Sequence, residues 1–258
     1  MQPPLLRVDK LCVVPPGSAV PACSDVSFAL ARGERAALVG PSGAGKTTLL
    51  RAINGSMPAS SGEVVLGAQG VNTRSRRELR ALRRQIAVIP QKHDLVDGLR
   101  VYHNVMAGAL GRWSDWHALR FLFWPLAVEL DVARQALDRV NLADKLRAHA
   151  GTLSGGQQQR VAIARALVQH PLLILADEPI ASLDPRLAHQ VLELLCRLAE
   201  NDGVALICTL HQPELARQYF PRVLEMSAGR ICGDRRSGQT GSMPAAIHQA
   251  EQRQAFGT

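Results

Sequence analysis

A chain of 258 residues suits one large domain, or one domain with a subdomain, and no uninterrupted apolar run approaches the roughly eighteen residues that cross a bilayer. Five scattered cysteines with no C-x-x-C pair read as reduced thiols and argue against a disulfide framework or a zinc site. The net charge of +8 is spread along the chain, and its densest run, RSRRELRALRR over 74–84, carries Leu79 and Leu82 at helical spacing, which makes it the solvated face of an amphipathic helix and argues against a nucleic-acid partner.

The opening MQPPLLRVDKLCVVPP has proline near its start and charge inside its apolar stretch, a poor signal peptide, so a cytoplasmic protein is expected. RAALVG, from Arg35 to Gly40, is a short apolar strand running into a glycine-rich loop, and KTTLLRAIN continues it as a helix that stops near Gly55. GEVVLG over 62–67 and QIAVIPQ over 85–91 read as two further strands. Between Asn104 and Ala150 the strand signal disappears, and AVELDVARQALDRVNLADKLRAHA is helical in composition. A helix then runs through QQQRVAIARALVQ and stops before Pro171. LLILAD and VALICTLH follow as apolar strands of the buried, parallel kind. The order α/β, helical, α/β predicts a parallel-sheet core with a helical insertion. The segment after residue 233 is polar, rich in Gly, Ser and Gln, and is expected to be a tail over 234–258.

Chemistry concentrates in three places. GPSGAGKT, Gly40 to Thr47, fits G-x-x-x-x-G-K-[ST] without a mismatch and sits between a strand and a helix. Its glycines let backbone N–H groups wrap phosphate oxygens; Lys46 is placed to reach the β- and γ-phosphates and the Thr47 hydroxyl to ligate Mg²⁺. Asp177 ends the strand LLILA, where a parallel sheet delivers side chains to its carboxyl edge, and so can hold the Mg²⁺ hydration shell opposite Thr47. Glu178 follows it and is placed to accept a proton from a water attacking the γ-phosphate. The third place is Ser154, Gly155 and Gly156, an N-cap and two glycines opening a helix, which read as a second anion site. One nucleotide cannot easily use two separate helix starts of one protomer. A head-to-tail dimer resolves this, with each ATP between the Lys46 loop of one subunit and the Ser154 loop of the other.

With these motifs the chain resembles the ATP-binding-cassette (ABC) ATPases over about residues 5 to 233. GPSGAGKT looks like the family's Walker A, LSGGQQQR its signature sequence, LLILADE its Walker B and SLD (Ser182 to Asp184) its D-loop; Gln91 matches the Q-loop glutamine and His211 the switch histidine. The resemblance implies a P-loop NTPase, RecA-like α/β core (1–91 and 168–233), with an N-terminal antiparallel β part and an inserted α-helical subdomain (92–167). It implies that ATP is held by Gly40, Pro41, Ser42, Gly43, Ala44, Gly45, Lys46, Thr47 and Thr48, with Ser154, Gly155, Gly156, Gln157 and Asp184 facing it across the dimer. Thr47, Asp177 and Gln91 attend the Mg²⁺, while Glu178, His211 and Gln91 serve the hydrolytic step, Gln91 also linking core and helical subdomain. Partners implied are membrane permease subunits and, indirectly, a solute-binding protein, at the cytoplasmic face of the cell membrane.

NVMAGALGRW over 104–113, the aromatic insertion after it, LADEPIASLDP and TLHQ narrow the resemblance to ATPase subunits of phosphonate-type importers. An ATPase for another solute, an exporter, or a non-transport ABC protein acting on DNA or ribosomes are the alternatives. The last class usually carries two cassettes or a long coiled-coil insertion, absent here. A GTPase would need an N-K-x-D motif, and none is found. One departure stands out: LCVVPPGSAV offers Val14, Pro15 and Val20 where the family usually places an aromatic ring on adenine. GRWSDWHALRFLFWPL, over 111–126, holds all three tryptophans; its rings are expected to divide between a subdomain core and an exposed permease-facing surface, with Trp113 and Trp116 the best candidates for exposure.

Overall fold

The computed structural model describes residues 3–71, 75–92 and 94–237. Two strands open the chain, β1 (Leu6–Val13) and β2 (Cys23–Leu30), followed by β3 (Arg35–Val39), α1 (Lys46–Ile53), β4 (Ser61–Leu66), β5 (Gln69–Gly70), α2 (Arg76–Arg83) and β6 (Ile86–Ile89). A helical stretch contains α3 (Val101–Met106), α4 (Asp115–Phe123), α5 (Ala127–Asp138) and α6 (Gly155–Val168). The chain then returns to alternation with β7 (Leu173–Ala176), α7 (Pro185–Asp202), β8 (Ala205–Leu210), α8 (Pro213–Tyr219), β9 (Arg222–Ser227) and β10 (Arg230–Arg236).

The strands form two sheets. One has the order β2-β1-β4-β5 and is antiparallel; the other has the order β10-β9-β3-β8-β7-β6, parallel from β9 to β6 with antiparallel β10 at its edge. The expected P-loop α/β core with an N-terminal antiparallel part and a helical insertion is the observed architecture.

The central strands are apolar throughout because both of their faces are covered. On β3, Ala37 and Val39 face the helical side with Ile89, Ala176 and Cys208. Ala36 and Leu38 face the antiparallel sheet with Leu6, Leu30, Ile53 and Leu175. The antiparallel sheet covers only one side of itself, so β1 and β2 alternate buried and exposed residues. Arg222 ties the two sheets together: its guanidinium donates to the Ala29 carbonyl at 2.6 Å, to Glu34 at 2.8 Å and to both oxygens of Asp234. These bonds hold the Asp234 carboxyl below its ordinary range.

Three expectations are revised. The edge strand β10 runs through Arg236, so it overruns the boundary expected at residue 233, and the rest of the expected tail, from 238 onward, lies outside the described residues. The helical stretch from Ala127 ends at Asp138, where Asn141 takes a left-handed backbone (φ 56°) and a short 3-10 turn follows. Trp113 is partly buried: its ring stacks on His117 with centroids 4.2 Å apart and meets Phe121 edge-on. The stack is possible because Ser114 caps α4 and aims its first turn back at the preceding residue. Trp116, Phe123 and Trp124 are 76%, 62% and 72% exposed, so exposure falls on these three rings. Among the described residues no helix is long and apolar enough to cross a membrane.

Candidate nucleotide site

The parallel register lines up the chemistry. Ile89 pairs with Ala176, Ala176 with Cys208, and Val39 with Leu210, so the next residues along each strand emerge at one sheet edge. Those residues are Gly40 with its loop, Pro90 and Gln91, Asp177 and Glu178, and His211.

The loop between β3 and α1 is pressed between neighbours that only glycine tolerates. A Cβ at Gly40 would collide with the Met226 carbonyl on β9, and one at Gly45 (φ 102°) with the Ala22 carbonyl before β2. Lys46 begins α1 and is 4% exposed; its Nζ donates to the carbonyls of Gly40 at 2.8 Å and Pro41 at 3.1 Å. The ammonium is therefore curled beneath its own loop. Burial lowers the Lys46 pKa from the usual lysine value, while the Glu178 and Asp177 carboxylates pull the other way. Pro41, Ser42 and Gly43 are exposed at the loop's rim, Ala44 is buried beneath it, and Thr47 and Thr48 are half-buried in the first turn of α1.

Across from the loop, the Thr47 hydroxyl donates to Asp177 Oδ1 at 3.2 Å. Glu178 has a left-handed backbone (φ 48°), which turns its side chain away from that of Asp177. Its Oε2 accepts from Gln91 Nε2 at 3.0 Å, and its Oε1 lies 2.6 Å from His211 Nε2. Sequence reasoning missed Thr209, fully buried on β8, which donates to Asp177 Oδ1 at 2.9 Å and accepts from the Glu178 amide at 2.7 Å. A hydroxyl inside the otherwise apolar run VALICTLH was the available signal.

Ser154 caps α6 in a reciprocal box: its hydroxyl accepts from the Gln157 amide, and its own amide donates to the Gln157 side chain at 3.0 Å. Gly155 is exposed, and Gly156 packs against Leu187 of α7. Asp184 caps α7, accepting from the Leu187 amide at 3.0 Å. Thr47 with Asp177, and Gln91 and His211 with Glu178, are joined into one site, and among the described residues no hydrogen bond ties the Ser154 turn to it.

A buried ammonium, amides folded by glycine, and a hydroxyl beside a carboxylate form the donor set that a Mg²⁺-bound triphosphate requires. The Lys46 ammonium and the Thr47 hydroxyl beside Asp177 suit a phosphate with its Mg²⁺, while the close approach of Gly40 to the Met226 carbonyl and of Gly45 to the Ala22 carbonyl fixes the path of the loop.

The model of the family described as ABC transporter matches residues 23–181. The phosphonates import ATP-binding protein PhnC of Frankia casuarinae is 44% identical over 217 residues, covering 84% of this chain and 85% of its own. The phosphite import ATP-binding protein PxtA of Stutzerimonas stutzeri is 44% identical over 236 residues, 91% of this chain and 83% of its own. Among solved structures, cbiO1 of Clostridium perfringens, part of the cbiONQ transporter complex, superposes with a TM-score of 0.79 at 26% identity over 98% of this chain and 96% of its own. The cassette MJ0796, solved as a dimer bound to ADP and Pi, gives 0.76 at 28% identity over 90% of this chain and 98% of its own. Motif order, sheet-edge geometry and these likenesses agree: the chain belongs to the ABC transporter family, as an ATPase that drives transport.

Proposed function

We propose that this ATPase energises import of phosphonate or a related phosphorus oxyanion through a separate membrane permease, from the cytoplasmic face of the membrane. The observation that carries the reading is Glu178 held between Gln91 and His211 at the same sheet edge as the Lys46 loop. The solute class is supported by the names of the phosphonate and phosphite import relatives.

In this reading Lys46 and the loop amides bind the β- and γ-phosphates, and Thr47 and Asp177 hold Mg²⁺, which when bound neutralises charge developing on the phosphate oxygens. Glu178 accepts the proton of the attacking water, and His211 and Gln91 orient its carboxylate. The Ser154 turn and Asp184 complete the site of a second copy in a head-to-tail dimer, a pairing in keeping with the dimeric cassette among the structural likenesses. A solute-binding protein delivers the oxyanion to the permease and does not touch this chain.

The test is uptake. In cells lacking this gene, phosphonate uptake and growth on phosphonate as sole phosphorus source are lost; the wild-type gene restores both and Lys46→Ala does not. Unchanged phosphonate uptake in the deletion strain overturns the solute class, and full uptake by Lys46→Ala overturns the site.

A further inference from the structure

We propose that Thr209 is a positioning residue for hydrolysis: one buried hydroxyl sets both the direction of the Asp177 carboxylate and the backbone turn that aims Glu178. The inference rests on the roles given above to Asp177 and Glu178 and adds the residue that holds them.

β8 lies between β3 and β7, and the Cys208–Ala176 pairing brings Thr209 alongside Asp177. Thr209 is 0% exposed in a strand whose other side chains are aliphatic or thiol. A hydroxyl has one proton and accepting lone pairs, and both capacities are used on the acid pair. Oγ1 donates to Asp177 Oδ1 at 2.9 Å and accepts from the Glu178 amide at 2.7 Å. Thr47 donates to the same oxygen of Asp177 from the opposite element, so two hydroxyls fix that carboxylate from α1 and β8.

The second bond acts on the backbone. Glu178 is non-glycine at φ 48°, a conformation that persists only where its surroundings hold it. The Thr209 hydroxyl secures the amide of that residue, and the Ala181 amide secures its carbonyl. The left-handed turn is what sends the Glu178 carboxylate to Gln91 and His211 instead of alongside Asp177. Because threonine is β-branched, its χ1 has few wells, and the hydroxyl arrives pre-set. Thr209 touches neither phosphate nor the reacting water in this arrangement; it acts through the two acids.

The experiment replaces Thr209 with Val, which keeps the shape and removes both bonds, with Ala, which removes them without crowding, and with Ser, which keeps the hydroxyl. In the full-length protein, steady-state turnover is normalised to the fraction binding nucleotide, so that only folded molecules are counted. Thr209→Val and Thr209→Ala are expected to lower kcat by about 10–100-fold, the usual effect of losing an outer-shell partner, and to raise the Mg²⁺ concentration needed for half-maximal turnover. Binding of ATP measured in EDTA stays unchanged, and Thr209→Ser recovers both kcat and the Mg²⁺ requirement to within about threefold of wild type. A purely structural role would lower melting temperature without splitting Mg²⁺ dependence from ATP affinity. Wild-type turnover in Thr209→Val, or equal losses in the Ser and Val variants, overturns the inference. Glu178→Gln is assayed in parallel: if it is inactive while Thr209→Val is normal, only the Thr209 role fails, whereas an active Glu178→Gln overturns the site reading itself.

Discussion

His211 Nε2 lies 2.6 Å from Glu178 Oε1, which places the first residue after β8 and the first after Asp177 in direct contact although 33 positions separate their numbers. The histidine is the exposed member of the pair, and the glutamate is largely covered. In the proposed role of base, Glu178 would have this solvent-exposed imidazole in contact with its carboxylate.

Glu178→Gln is expected to bind ATP and to hydrolyse it about 10²–10⁴-fold more slowly, because the amide keeps the shape of the side chain and cannot accept a proton. The trapped ATP should hold two subunits together, seen as a shift from monomer to dimer on sizing with Mg-ATP. Near-normal phosphate release by this variant would remove Glu178 from the role of base.

The segment before β2 offers adenine no aromatic ring: Val14 and Val20 are 37% and 71% exposed, and Pro15 lies between them in chain order. Loss of stacking should weaken base binding by ~1 to 3 kcal/mol, by analogy with stacked nucleic-acid bases, and leave ATP and GTP poorly discriminated. Competition binding measures this. ATP bound far more tightly than GTP, with Pro15→Tyr altering neither, would place the adenine contact elsewhere.

Trp116, Phe123 and Trp124 are exposed, as are Leu119, Leu122 and Leu126 within the same stretch over 116–126. Replacing the three rings with Ala should abolish solute uptake by the assembled transporter while leaving ATP hydrolysis and melting temperature of the isolated subunit intact. Trp113→Ala should behave oppositely, costing about 1–3 kcal/mol of stability through its lost packing on Phe121 and His117. A large fall in melting temperature for the triple variant would return these rings to a structural role.

The elbow between α4 and α5 is held by Glu129, which accepts from His117 at 2.6 Å, from the Leu126 amide at 2.7 Å and from Arg120. Burial pushes its carboxyl up, and the bonds from Arg120, Leu126 and His117 more than offset this, leaving it below the usual glutamate value of 4.5. With the folded value depressed, its contribution is complete above about pH 4.5 and fades as the pH falls through the folded value. All three tryptophans lie between residues 113 and 124, so intrinsic fluorescence reports this elbow. On acid titration the fluorescence should change below pH ~4.5 ahead of far-ultraviolet circular dichroism. Glu129→Gln should abolish that early step and cost about 1–3 kcal/mol, less than for a fully buried pair because Arg120 is 25% exposed. Simultaneous loss of both signals in the wild type would show that the elbow has no separate acid transition.

The site was legible in the sequence because its chemistry is local: a glycine loop fixed by close approach to Met226 and Ala22, and acids that must follow an apolar strand. β3, β7 and β8 were legible because burial on both faces leaves runs such as LLILA. β1, β2, β9 and β10 were not read from their own residues. In β1 and β2 one-sided burial mixes charged and apolar positions, as in LRVDKLCV, while β9 buries Arg222 and Glu225 among its apolar residues and β10 has no buried position; only family resemblance supplied an antiparallel part. The end of α5 was missed because the chain turns at Asn141 with no glycine or proline to mark it. Trp113 was misassigned because the His117 ring that covers it arrives one helical turn later, after a cap whose geometry composition does not reveal.

The position of β3 between β8 and β9 has a consequence during synthesis. The phosphate loop and its strand leave the ribosome when neither neighbouring strand exists, and translation from Val39 to Ala205 takes about 10–30 s at ordinary rates of about 5–20 residues per second. Throughout that interval the backbone edges of RAALV are unpaired and its apolar side chains are not yet covered. A ribosome stalled before β8 therefore leaves a glycine loop with no sheet behind it to give it shape.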